Sequence, residues 1–341
     1  MAGSSWTKRA WREAQVYMTM ARGFSRNVKL YYLSVAFLGT GWAVFALLYN
    51  LYLLEMGFSE VLVGQQTAAY SLGLVVGGEP GGMLYSRRGG RTSFLVAIST
   101  MAAAWGLQLL VRVPVFIVAA AFVQGIFSAL LLAAGSPFLS DESNDQERTY
   151  VFSVSGINWT VTEVLGSLLG GILPATLKTL FTLPSLVVAQ RWSLAIGVGI
   201  VLVSLFFVRA MRPTRHGLDA PVGGRPVAPA ARVWRPNRRV VIGSAALFLL
   251  MGLHIGSTLP FHNVYFRQFH GATTAQVGYI ISLSRIVSLI AILIYPTLAN
   301  RMGKVRAAIL FSLLTAVAYV VLGLPLPLSL ALPVFLATYA L

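Results

Sequence analysis

The 341-residue sequence is 57% hydrophobic and 11% charged, against about 25% charged in a soluble domain, which excludes a water-soluble fold of this length and equally a disordered chain. Its 26 Lys and Arg outnumber 10 Asp and Glu for a net charge of +16. In so apolar a chain that excess reads as basic loops flanking membrane spans, not as a nucleic-acid surface. There is no cysteine, hence no disulfide, no thiolate metal site and no cysteine nucleophile.

Residues 1–29 carry Lys8, Arg9, Arg12, Arg22, Arg26 and Lys29, with Trp6, Trp11 and Tyr17 among them, and lack the compact apolar run of a cleavable signal. The segment reads either as an amphipathic helix on the inner membrane surface or as a basic tail. A bilayer core of about 30 Å needs roughly 20 apolar residues in a helix. Nine such runs follow, near 30–54, 61–85, 92–111, 115–138, 150–174, 191–210, 240–262, 275–298 and 306–325. A tenth begins near Leu328 and meets the last residue, Leu341, in apolar sequence, so truncation in a tenth helix is expected. Residues 211–239, rich in Arg, Pro and Gly, read as a linker dividing the chain into halves at 30–210 and 240–341. With the N-terminus cytoplasmic, 21 of the 26 basic residues fall inside, four outside, and one, Arg285, within a span. That bias predicts an N-in topology.

The halves repeat one another. At an offset of 214 residues, Gly82-Met-Leu84-Tyr-Ser86-Arg87-Arg-Gly89-Gly-Arg91 falls on Pro296-Thr-Leu298-Ala-Asn300-Arg301-Met-Gly303-Lys304, with Arg306 close behind. Gly64 falls on Gly278 at the same offset, whereas Asn50-Leu-Tyr52 falls on Asn263-Val-Tyr265 at 213, which implies one inserted residue in the outside loop. Ser59 is the expected helix cap after that loop in the first copy, and Thr273-x-x-Gln276 reads as a capping box in the second. Each unit crosses the membrane an even number of times, so the repeats are parallel, related by an axis along the membrane normal.

These residues resemble the major facilitator superfamily, whose signature after the second helix of each half is Gly-x-Leu-x-Asp-Arg-x-Gly-Arg-Arg. The chain keeps Gly82, Leu84, Arg87, Gly89 and Arg91, and in the second copy Leu298, Arg301, Gly303 and Lys304. The resemblance runs from about residue 30 to the end. It implies an all-α membrane protein of two six-helix halves, the second incomplete here, working as a secondary transporter in the plasma (inner) membrane. The signature Asp is Ser86 in one copy and Asn300 in the other. Both can cap a helix end, but neither supplies the negative charge that latches the family's cytoplasmic gate. Proton-coupled drug exporters of the family share Arg-x-x-Gln-Gly on the fourth helix and Gly-Pro-x-x-Gly-Gly on the fifth. This chain has Ala121 before Gln124-Gly125, and Gly166-Ser167-Leu-Leu-Gly170-Gly171 with Ser for Pro, so proton-coupled export is half supported. That glycine cluster, Gly77-x-x-x-Gly81 and Gly78-x-x-x-Gly82 also fit close helix packing.

An ionisable residue within a span costs about 2.5–3.5 kcal/mol on insertion scales and asks for a partner or a wet path. Three stand out: Glu79, Glu163 and Arg285. Glu163 and Arg285 lie at similar depth on the fifth and eighth spans, which in the family face each other across the central cavity. They are expected to form an ion pair between the halves or to line the solute site together, the alternative being a static salt bridge. Glu79 could take a proton, replace the missing Asp, or pair with a loop Arg. His254 is a further titratable candidate, or a packing residue. Gln65, Gln108, Gln124 and Asn158 could bond solute or bridge helices. Asn50 and His262 fit helix-end roles, and Trp42, Trp105 and Trp159 fit an aromatic cavity or core packing.

No Gly-x-x-x-x-Gly-Lys-[Ser/Thr], His-Glu-x-x-His or Gly-x-Ser-x-Gly occurs, so neither an ATP-driven pump nor a membrane enzyme is expected. The expected partners are a small-molecule solute, membrane lipids and protons as candidate coupling ion, with no cofactor, metal or nucleic acid, and a monomer as the working state. The competing reading is a receptor or scaffold that keeps the fold without moving solute.

Overall fold

The computed structural model describes residues 23–213 and 238–340, so the basic segment up to Arg22 and most of the 211–239 linker lie outside the described residues. The described residues are helical, with no strand: α1 (Arg26–Glu55), α2 (Glu60–Leu110), α3 (Pro114–Asp141), α4 (Arg148–Leu180), α5 (Leu186–Ala210), α6 (Arg238–Thr258), α7 (His262–His270), α8 (Thr274–Met302), α9 (Lys304–Leu322) and α10 (Leu328–Ala340). Seven are long and apolar enough to cross a membrane. Their apolar side chains stay exposed on the outer faces, as Val75, Val115, Phe206 and Val320 do, which suits a lipid surround. The chain is an integral, multi-pass membrane protein.

The helices gather into two compact units, one of α1, α4, α5 and α7 to α10, the other of α2, α3 and α6. In the second unit, α2 is 51 residues long, roughly 75 Å at 1.5 Å per residue, far beyond a bilayer core. It is in fact a hairpin. Gly89 sits inside it at φ 74° and ψ 174°, and α3 touches both arms at one level. A methyl group added at Gly77 would lie 2.7 Å from Ile126 Cα, while Ser128 lies against Met101. Two residues 24 apart on a straight helix could not both meet one turn of α3.

Gly89 and its counterpart Gly303 (φ 87°) share a left-handed backbone that side chains other than glycine's adopt only under strain. The other two positive-φ glycines, Gly57 (φ 87°) and Gly271 (φ 62°), also stand 214 residues apart. The repeat is therefore written in the backbone as well as in the sequence. The inserted residue is visible too. The turn after α1 closes with Phe58 N donating to Leu53 O at 3.1 Å, and the turn after α7 with Ala272 N donating to Phe266 O at 3.1 Å, one residue further along. Beyond these turns α2 starts at Glu60, directly after Ser59, and Thr273 forms the expected capping box with Gln276.

The seventh span differs from expectation. Pro260 lacks a donor and interrupts the α-helix as a 3₁₀ turn at Leu259–Phe261, after which helix resumes as α7. Arg267, one of the four basic residues that the N-in topology counts outside, is helical.

Candidate functional site

The first unit is organised around α4. Gly39 meets Thr162, Gly166 meets Thr40 and Ala43, and Gly170 meets Val44 of α1. Residue numbers rise together, so α1 and α4 run parallel. On its other side α4 meets α8 antiparallel: a methyl group at Gly278 would stand 2.7 Å from Gly171 Cα. Backbones can approach so closely only between glycines. The Gly166 to Gly171 cluster thus serves helix packing. Further along, Ser282 Oγ donates to Val164 O at 3.2 Å.

This crossing brings Glu163 and Arg285 together. Arg285 Nε stands 3.6 Å from Glu163 Oε2, with the two side chains 26% and 20% exposed. The separation is an ion pair but longer than the about 2.7–2.9 Å of a charge-assisted hydrogen bond, and Arg285 Nε has no acceptor. The guanidinium lies over the Tyr339 ring of α10 at 5.4 Å, within cation–π range. Tyr339 stacks edge-on against Phe335 at 5.2 Å, and Phe335 against Phe266 at 4.9 Å.

Further contacts among the described residues join α1 to helices beyond the linker. Asn263 Nδ2 donates to Leu47 O at 2.7 Å. Arg267 donates to Glu55 at 2.6 Å and to Ala272 O at 3.1 Å. Leu47 packs in one apolar cluster with Phe266, Val277, Leu322, Ala331 and Phe335. In the sequence pattern Asn263 only marks the repeat, Arg267 is one of the outside charges and Tyr339 stands out in no way. Their spacings to Leu47, Glu55 and Arg285 carry no local periodicity by which to find them.

Other candidates fall elsewhere. Gln124 accepts from Gln108 Nε2 at 3.1 Å, bridging α3 to the second arm of α2. Asn158 donates to Tyr32 O at 3.1 Å, bridging α4 to α1. Trp42 is half-buried on α1, Trp105 is a buried core residue and Trp159 is 37% exposed. His254 is exposed on α6, its carbonyl accepting from Ser257 and Thr258. Along the signature loop, Ser86 does not cap a helix: it lies mid-helix and donates to Gly82 O at 2.9 Å, because the hairpin turns three residues later at Gly89. Glu79 is exposed and makes no ion pair among the described residues. Arg87 is exposed and Arg91 half-buried. Gly77 and Gly81 pack on α3, whereas Gly78 and Gly82, one position round the helix, face open space. Gly303 ends α8, and the side chains of Asn300, Arg301 and Lys304 lie outside those described. Among the described residues, no three His, Asp or Glu could share a metal ion.

The family model of the Major Facilitator Superfamily matches residues 31–341. No curated protein matches the chain. Among solved structures, a bacterial homologue of the human lysosomal transporter Spinster, in an inward-facing and unoccupied conformation, superposes at TM-score 0.70 and 15% identity over 92% of this chain and 71% of its own. The nucleoside transporter NupG does so at 0.70 and 12% identity over 93% and 78%. A D-xylose–proton symporter follows at 0.62 and 14% identity over 92% and 79%. At such identities the likeness is one of fold.

Proposed function

The chain belongs to the major facilitator superfamily, a family of membrane secondary transporters, and on that premise we propose that it moves a small solute by alternating access, with Glu163 and Arg285 at the solute site. The halves are residues 30–210 and 240–341, and the N-terminus faces the cytoplasm of a plasma (inner) membrane. The observation that carries the reading is the 3.6 Å ion pair. It joins helices of the two repeat copies, is partly open to solvent, and is too long for a fixed hydrogen-bonded salt bridge. A buried pair kept only for stability would be expected to close tightly, because charges taken out of water are offset only by good geometry. A proton on Glu163 removes its hold on Arg285 and frees the guanidinium, so protonation and solute act on the same contact and together bias the rocking of the halves. In the N-in orientation, the Asn263–Leu47 and Arg267–Glu55 contacts sit on the outer side and hold it closed.

Counterflow of a solute panel in proteoliposomes, with and without a proton gradient, tests this. Gradient-stimulated exchange that is lost in Arg285→Leu and becomes gradient-insensitive in Glu163→Gln is expected; wild-type rates in both variants would remove the pair from the mechanism. One observation favours a receptor instead: Ser86 and the unpaired Glu79 leave the first signature loop without a carboxylate latch. Solute binding without counterflow would decide for it.

A further inference from the structure

Arginine carries five donors in a rigid plane that matches a carboxylate in two parallel bonds. Arg285 uses none of them in a hydrogen bond among the described residues: its Nε has no acceptor, and the nearest carboxylate oxygen is 3.6 Å away. Its orientation is nonetheless set. The guanidinium carbon stands 5.4 Å from the centre of the Tyr339 ring, itself backed by Phe335 and Phe266, so an aromatic group holds the guanidinium while its Nε has no acceptor. One turn before Glu163 on α4 stands Trp159, an apolar ring 37% exposed.

We infer that the solute is an organic monoanion, a carboxylate on a flat apolar body, whose carboxylate occupies the donor edge of Arg285 in place of Glu163 and whose body lies against Trp159 and Tyr339. The inference rests on the reading of Glu163 and Arg285 as the solute site. Charge balance selects a monoanion. Glu163 and Arg285 together are neutral; when the solute's carboxylate neutralises Arg285, the displaced Glu163 becomes neutral by taking up one proton, so one anion and one proton enter the site together. A dianion would leave a net negative charge in a site of low dielectric, and a cation would face Arg285 directly. A neutral solute would leave the fork without an anion once Glu163 withdraws.

Three probes of one shape separate the charges: phenylacetate, phenylacetamide and phenethylamine, each titrated into the purified full-length protein while thermal unfolding is followed. Phenylacetate is expected to raise Tm, the amide and the amine not. In Arg285→Gln the phenylacetate affinity should fall at least about tenfold, the scale of hydrogen bonds to a charged group. In Glu163→Gln it should rise, because the competing carboxylate is gone. That gain cannot come from a variant that has merely misfolded. An equal shift with the amide, a phenylacetate shift unchanged by Arg285→Gln, weaker binding in Glu163→Gln, or no response to phenylacetate would each overturn the inference. Counterflow of a neutral or cationic solute through the Arg285 site would overturn the anion class while leaving transport standing. Phenylacetate binding without any counterflow would leave the anion site standing and remove transport.

Discussion

Two glycine-lined helix crossings in this protein are built alike and finished differently. In one, Gly73, Gly77 and Gly81 of α2 lie against Gly125, Ile126 and Leu130 of α3. In the other, Gly171 of α4 lies against Gly278 of α8. Both bring backbones into contact, the main way helices associate where lipid is as apolar as their side chains. The polar groups beside them differ. Next to the first crossing, Gln124 of α3 makes a buried neutral bond to Gln108 of the second arm of α2, at 3.1 Å. The α4 and α8 crossing carries two opposite charges that are partly exposed and do not close to hydrogen-bond length. A neutral amide pair is the low-cost glue for a contact that stays. Charges are the costly choice, and a site that must respond to a proton or an anion has a use for them.

The largest effects are expected at the charged pair. Arg285→Leu removes the cation of the proposed solute site and should cut solute exchange by about tenfold or more, the scale of hydrogen bonds to a charged group. Loss of exchange with the unfolding midpoint retained would set this crossing apart from the other; equal loss of both would make it merely structural. Next come the glycines. Gly278→Leu and Gly77→Leu each force side-chain atoms into a neighbouring backbone and should destabilise the folded protein by about 1–3 kcal/mol, read as a lowered unfolding midpoint in detergent. If only Gly77→Leu did so, the α4 and α8 contact would be dispensable to folding. Smaller again is Gln124→Leu, which removes one bond and leaves Gln108 unpaired, a cost of about 1–3 kcal/mol at most in stability, with exchange per folded molecule unchanged. The smallest is Arg267→Ala. Its pair with Glu55 is about one-third exposed, and such pairs are worth about 0.2–1 kcal/mol, so its signature should be a modest shift toward accessibility of the outer side, measured by labelling a cysteine placed at Leu47.

The membrane class, most helix positions, the parallel repeat and the family follow from the sequence, since each depends on short-range pattern: apolar run length, basic turns, and the paired signature glycines Gly89 and Gly303. Even the inserted residue was legible, as a change of offset from 214 to 213. Helix ends were less so. Pro260 could be expected to break a helix, but that helix resumes within three residues depended on the packing of Phe266 in the apolar cluster.

Which side chains meet was decided only by the tertiary structure. Glu163 and Arg285 could be singled out by their cost in a membrane, but their 3.6 Å separation and the missing acceptor at Nε depend on how closely Gly171 lets α8 approach. Gln124 and Asn158, polar and mid-span, looked equally fit to bind solute; the fold spends both on neighbouring helices. Tyr339 gave no signal at all. Hydrophobic period reports which way one helix faces, whereas a site is made by partners more than fifty residues apart, and nothing local in the chain encodes the distance between them.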